Sequence, residues 1–325
     1  MKRTENLLVL FAAVGSIVLG AALSPVTARA AELRVVASTP DLGAIAKAVG
    51  GDRVDVTSIA RGTEDPHFVD PKPSHVVSLN RADALVEGGA ELELGWLPRL
   101  VESSRNAKIA TGAPGRIVAN AGVQLLEIPT GPVDRSMGDV HPGGNPHYLL
   151  DPRNAVIVAE DLSRRFAALD ASGAETYRAN AAAFTSDLKS RIQGWEARLA
   201  SLRGAKVVEY HKLFEYLASW LGLDIVGQVE PKPGIPPNPQ HVAALEAKMR
   251  TEKVPVLLAT TYHPSEVTAE IAHRTGAAVA TIPTSVGDGE GNTSYVAMVE
   301  QIVTALAKAA KSAPSATPAP STEGH

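Results

Sequence analysis

Nine histidines and no cysteine occur among the 325 residues of this chain, so any soft-metal chemistry here uses imidazole nitrogen, helped by carboxylate oxygen. The missing thiols exclude disulfides, thiolate metal sites, iron–sulfur clusters and cysteine nucleophiles. Three histidines stand where a site is easily assembled. His67 follows the apolar run 54–59, His211 directly follows the run 207–210, and His147 lies in a loop that opens a helix near Asp151. Ligands of open α/β sheets bind beyond the carboxyl ends of the strands, so these rings could meet in one crevice. Three neutral imidazoles at ~2.0 to 2.1 Å form a tetrahedral zinc set with one position left open. Gaps of 80 and 64 residues separate the three, and such spacing carries no local signature of its own.

The elements that must position them follow from hydropathy. Short apolar runs alternate with helical patterns: 33–37 then 41–49, 54–59 then 74–82, and 84–87 then 94–103. The rhythm resumes over 207–210, 213–221, 225–229, 239–250, 254–260, 265–275, 278–282 and 295–310. This is the pattern of βα units around parallel strands. The fold class is therefore α/β, with two (β/α) lobes, each built on a mostly parallel sheet. Between them Tyr177, Ala181, Phe184, Leu188, Ile192, Trp195, Leu199 and Leu202 recur at spacings of three and four, one face of a helix. Over 174–202 it would reach ~44 Å and join the lobes, with Gly204 as its C-cap. One stiff connection implies limited hinge motion. No internal repeat is visible, and the proline-rich stretches 65–73, 142–152 and 231–239 are expected as stiff loops.

The two ends read differently from the lobes. Lys2 and Arg3 precede an apolar run over 7–23, and Ala28-Arg29-Ala30 has the small-x-small form of a signal-peptidase site. Residues 1–30 are expected to be a cleaved secretory signal. Residues 312–325 are rich in Pro, Ala, Ser and Thr and are expected to be a disordered tail. The domain plan is then an N-terminal lobe over 31–170, a bridging helix over 171–204 and a C-terminal lobe over 205–311. A net charge of -4 gives no electrostatic footprint for nucleic acid, and a soluble monomer is expected.

Several motifs carry a resemblance. Asp65-Pro66-His67-Phe68 with Pro71-Lys72-Pro73-Ser74, and Asn145-Pro146-His147-Tyr148-Leu149-Leu150-Asp151-Pro152-Arg153-Asn154-Ala155, are joined by Glu209-Tyr210-His211-Lys212 and by Glu230-Pro231-Lys232-Pro233-Gly234-Ile235-Pro236-Pro237. In order and in kind they resemble the cluster A-I solute-binding proteins, the metal receptors of zinc and manganese ABC importers. The resemblance runs from about residue 33 to 310. It implies a periplasmic receptor that captures a divalent transition metal between two lobes and delivers it to an inner-membrane ABC permease. His67, His147 and His211 take the ligand roles. Where manganese receptors usually have Glu, this chain has His211, and the softer donor favours Zn²⁺ over Mn²⁺.

At the fourth position the chain departs from the family, which commonly has an Asp after the last strand; here the stretch is Ala280-Thr281-Ile282-Pro283-Thr284-Ser285-Val286-Gly287-Asp288. Glu230 is the expected fourth ligand, with Asp288, Glu290, His263 or water as alternatives. His141, with Asp139, is short of the long His/Asp-rich loop of zinc receptors and is assigned at most a scavenging role. His75, His241 and His273 read as solvated residues. Among rival functions, a zinc hydrolase could use three histidines and an open water position, but HExxH, GxSxG and a phosphate loop are absent. A sugar receptor would need more than the 14 aromatic residues present to stack its ligand. Adhesins of this fold tend to be lipid-anchored through a cysteine.

Overall fold

The computed structural model describes residues 32–312 apart from 135, 136 and 139. The expected signal, nearly all of the expected tail, and Asp139 lie outside the described residues.

The N-terminal half contains β1 (Leu33–Ala37), α1 (Pro40–Gly50), β2 (Val54–Ser58), α2 (Pro73–Arg81), β3 (Ala84–Glu87), α3 (Leu97–Ser104) and β4 (Arg116–Val118). A long irregular segment then leads to α4 (Pro152–Leu169) and α5 (Ala174–Arg198). The C-terminal half contains β5 (Lys206–Glu209), α6 (Glu215–Leu221), β6 (Asp224–Gln228), α7 (Pro239–Glu252), β7 (Val256–Thr260), α8 (Ser265–Thr275), β8 (Ala278–Ile282) and α9 (Tyr295–Ser312). Two four-stranded sheets result, ordered β2-β1-β3-β4 and β6-β5-β7-β8, with every pairing parallel. The second sheet repeats the strand order of the first, although no repeat is visible in the sequence. Parallel strands covered on both faces become continuous apolar runs, as in β7, where all five residues are buried.

The long helix is shorter than its periodicity suggests. α5 stops at Arg198 after 25 residues, about 38 Å, and the chain tightens into a 3₁₀ turn over Ala200–Leu202. Leu199 and Leu202 are still buried, because the turn delivers them to the same core face that a continued helix would have done. Gly204, at φ +75, therefore caps no helix; its N–H donates to Gly222 O at 2.6 Å.

α5 touches both lobes. Asn180 Nδ2 donates to Val49 O at the end of α1 at 3.0 Å, while Trp195 Nε1 donates to Glu300 Oε2 of α9 at 2.7 Å and the Trp195 ring meets Trp220 of α6 edge-on at 6.3 Å. The helix is not the sole connection. One continuous core takes in Val35, Ile45 and Phe166 from the first half and Val207, Leu258, Met298 and Ile302 from the second. α9 enters the seam directly, where Tyr295 OH donates to Leu149 O at 2.6 Å in a buried bond. Nearer the cleft, Ser285 Oγ donates to Asp41 Oδ1 at 3.2 Å. At Gly62 a Cβ would come within 2.3 Å of Val286 O and 2.7 Å of Asp288 N, so only glycine lets the loop before His67 press against the loop after β8. The expected stiffness thus has a second cause, since the lobes share side-chain packing as well as a helix.

Candidate metal centre

The carboxyl ends of both sheets face the same cleft and carry the histidines. His67 lies in the loop between β2 and α2. Asp65 Oδ1 accepts from His67 N at 2.9 Å and pairs with the ring Nδ1 at 2.8 Å, and Trp96 Nε1 anchors the loop by donating to Pro66 O at 2.9 Å. With Nδ1 donating to the carboxylate, Nε2 presents its lone pair to the cleft. Burial works to raise the Asp65 carboxyl, but the hydrogen bonds and charge of His67 hold it below its ordinary value.

His211 stands two residues beyond β5, at the switch point where the sheet order reverses. Its Nδ1 pairs with Glu230 Oε2 at 2.8 Å, and the same oxygen accepts from Gly234 N at 2.8 Å. The proline-stiffened loop after β6 therefore holds the carboxylate against the back of the ring. His147 precedes a 3₁₀ turn over Tyr148–Leu150, and its N–H donates to Asn145 Oδ1 at 2.9 Å. Half-buried, it lines a small cavity beside His141 and His211. Burial, followed by the neighbouring imidazoles His67, His211 and His141, pushes its pKa well below the ordinary value.

A fourth imidazole joins them. Pro142 and Gly144 occupy the second and fourth places of a turn closed by Gly144 N donating to His141 O at 3.0 Å, with Gly144 at φ +105. The turn folds His141 back until its Nε2 lies 3.1 Å from Nε2 of His67. Burial, then His67 and His211, lowers its pKa to about 4. Two Nε2 atoms this close suit either one shared proton or one shared cation.

Ring-centroid separations are 5.1 Å for His67–His147, 5.2 Å for His67–His141, 6.1 Å for His67–His211 and 6.2 Å for His147–His211. Imidazoles bound tetrahedrally at ~2.0 to 2.1 Å place their centroids about 5.2 Å apart. The two pairs His67–His147 and His67–His141 match that spacing, and His211 stands about 1 Å too wide. Consistently, no group of three or more His, Asp or Glu among the described residues already closes on one point. A small space of about 50 Å³ adjoins three of these rings, lined by His141, His147 and His211 together with Asn145, Lys212, Glu127 and Pro233. That volume accommodates an ion or a few waters.

The remaining candidates have other partners. Glu230 is engaged through Oε2 as described. Asp288 is buried and its Oδ2 accepts from Thr261 Oγ1 at 2.6 Å; Glu290 is exposed. His263 stacks on Tyr210 at 4.2 Å, its Nδ1 accepts from Thr260 N at 3.1 Å, and its ring stands 6.3 Å from His211. His75 Nδ1 accepts from Lys72 N at 3.3 Å where α2 begins, His241 Nε2 pairs with Gln228 O at 3.0 Å, and His273 is exposed on α8. Sequence reasoning gave His141 at most a scavenging role and did not foresee its approach to His67. Its signal was the sequence His-Pro-Gly-Gly, since Pro at the second and Gly at the fourth position favour a type I turn.

Two parallel-sheet lobes sharing a core, with imidazoles converging from both at an ion-sized cavity, define a metal-binding receptor. The family model for zinc-uptake complex component A, periplasmic, matches residues 35–309, and the chain belongs to that family of cluster A-I receptors. The manganese ABC transporter substrate-binding lipoprotein PsaA of Streptococcus anginosus is 27% identical over 262 residues, covering 79% of this chain and 81% of its own length. The iron-binding protein YfeA of Yersinia pestis is 26% identical over 288 residues, 86% of each chain. A crystal structure of ZnuA superposes with a TM-score of 0.70 at 23% identity, covering 86% of this chain and 99% of that one. The chain is therefore the metal-binding component of an ABC transporter, and not an enzyme. Its transported ligand is a divalent metal, and its partners are the permease and ATPase components.

Proposed function

We propose that this receptor captures Zn²⁺ and passes it to its permease, with Nε2 of His67, His147 and His211 as donors and Nε2 of His141 closing the fourth position. The observation that carries this reading is the cluster of four imidazoles in which His67 lies 5.1 to 6.1 Å from each of the other three rings, two of these spacings already tetrahedral. Nitrogen donors select zinc over manganese, which suits oxygen-rich sites. The burial of His141 and His147 keeps both rings neutral and their lone pairs available at pH 7. Asp65 and Glu230 act as the carboxylates that fix tautomer and ring orientation, the usual companions of metal-bound histidine. Glu230, expected as the fourth donor, is given this supporting role because its oxygen already faces Nδ1 of His211.

The relatives named for manganese and iron make the physiological ion the first thing to measure. Protein isolated from the periplasm of cells grown with zinc, manganese and iron together should carry one zinc, and manganese or iron in its place would overturn the assignment. Chelator-stripped protein should lose most of its zinc affinity on His147→Ala and part of it on His141→Ala. His273→Ala should leave it unchanged, and equal effects of all three would refute the ligand set. Residues 1–30 are assigned as a leader cleaved after Ala30, which N-terminal sequencing of the secreted protein tests. The mature receptor is assigned as a monomer, which sedimentation checks.

A further inference from the structure

We propose that Asn145 is a positioning residue of the metal site, one that sets the separation of His147 and His211 across the two lobes. The inference rests on the ligand set given above. Asn145 is buried, and each of its polar groups has a partner. Its N–H donates to Leu126 O at 2.8 Å. Its carbonyl accepts from Tyr216 OH at 2.8 Å, and that hydroxyl accepts from Leu126 N at 2.9 Å. On the side chain, Oδ1 accepts from His147 N at 2.9 Å. Nδ2 donates across the cleft to Glu215 Oε2 at 3.1 Å and to Lys212 O at 3.4 Å.

The two arms of one amide therefore join the two halves of the site. Oδ1 holds the backbone of one ligand, and Nδ2 holds the segment between β5 and α6, in which Lys212 adjoins the other ligand, His211. Pro146 fills the position between Asn145 and His147 with its φ locked, so a displacement of the asparagine is carried to the imidazole with little slack. The span it controls is one of the two that exceed the tetrahedral value, 6.2 Å between the rings of His147 and His211. A binding site tolerates errors of only about 0.5 Å before its donors stop cooperating, so a residue that fixes this gap governs how well a small ion is gripped.

The test separates the arms. Asn145→Ser keeps an acceptor near His147 N but deletes the cross-lobe arm, and Asn145→Asp keeps the acceptor while facing Glu215 and the Lys212 carbonyl with an oxygen. Both should lose about tenfold or more in zinc affinity, measured by chelator competition, the range seen when partners of metal ligands are removed. Both should also weaken and shift the visible bands of the Co²⁺-loaded protein, a change in metal geometry that a merely structural role would leave undisturbed. Adding Glu215→Gln to Asn145→Asp restores a donor opposite an acceptor and should return affinity to within about threefold of the parent. Parental affinity and Co²⁺ spectrum in both single variants, or no recovery in the double variant, would overturn the proposal. His147→Ala run alongside distinguishes the two levels. If that variant binds zinc normally, the ligand set itself fails; if it binds poorly while the Asn145 variants are silent, only the positioning role fails.

Discussion

Removing the Glu230 carboxylate distinguishes a ligand from a ligand's support. In the structure Glu230 Oε2 accepts two hydrogen bonds of 2.8 Å, from His211 Nδ1 and from Gly234 N. Glu230→Ala leaves the ring without its anchor and lets Nδ1 and Nε2 exchange places before the cleft. Hydrogen bonds to a charged acceptor contribute about 1.5 to 3 kcal/mol, and about 1.4 kcal/mol is a factor of ten in a dissociation constant. Glu230→Ala should therefore weaken zinc binding by about 10- to 100-fold, in line with other carboxylates that back a metal-bound histidine. Glu230→Gln should lose less, because an amide oxygen still accepts from Nδ1–H. The assay is competition against a chromophoric chelator at pH 7.5, with His211→Ala as the reference for losing a donor outright. Unchanged affinity in Glu230→Ala would show that the ring is oriented by something else. A loss equal to that of His211→Ala would show that the carboxylate itself binds the metal.

Three further expectations concern the frame around the site. Burial pushes the Glu93 carboxyl up from an ordinary 4.5 to about 6, against the hydrogen bonds it accepts from Ser38 Oγ and Gly88 N. A carboxyl with a raised folded pKa contributes stability below pH 4.5 that is lost as pH rises through 6, so at pH 7.5 the charged form costs about 2 kcal/mol. Glu93→Gln should raise the stability of the metal-free protein by roughly that amount at pH 7.5 in urea unfolding, and the gain should vanish below about pH 4.5. A gain independent of pH would refute the linkage. Tyr295→Phe leaves Leu149 O without its buried donor and should cost about 1 to 3 kcal/mol; a neutral result would mean that the seam bond is not needed. Scattering curves of metal-free and zinc-loaded protein should give the same radius of gyration, and a clear contraction on loading would contradict the shared core.

Much of the frame was legible because parallel strands buried on both faces leave unbroken apolar runs. β1 and β3 begin and end where hydropathy places them. Strand order was not legible, since apolar runs of this kind carry no mark of their neighbours, and so the repeated order of the two sheets emerged only in three dimensions. The end of α5 was overrun because Leu199 and Leu202 keep helical spacing while serving a 3₁₀ turn, and spacing alone does not separate the two geometries. Within the site, His67 and His147 were visible through the prolines beside them, and His211 through its place at a strand end. The approach of His141 depends on a tertiary contact with His67, 74 residues away, and only the turn at Pro142–Gly144 hinted at it. The orientation of Glu230 was likewise hidden, because a carboxylate at a strand end can face a metal or the back of a ring with the same local sequence.

The core that runs unbroken through both lobes also constrains how cargo departs. With the two halves fused by packing, emptying the receptor by swinging them apart would expose apolar surface at a cost the permease would have to meet. On the proposed ligand set, His141 reaches the ion from a turn outside both sheets, so its nitrogen can be withdrawn without opening the core. A permease that draws His141 outward would strip one donor from the ion while both lobes stay packed.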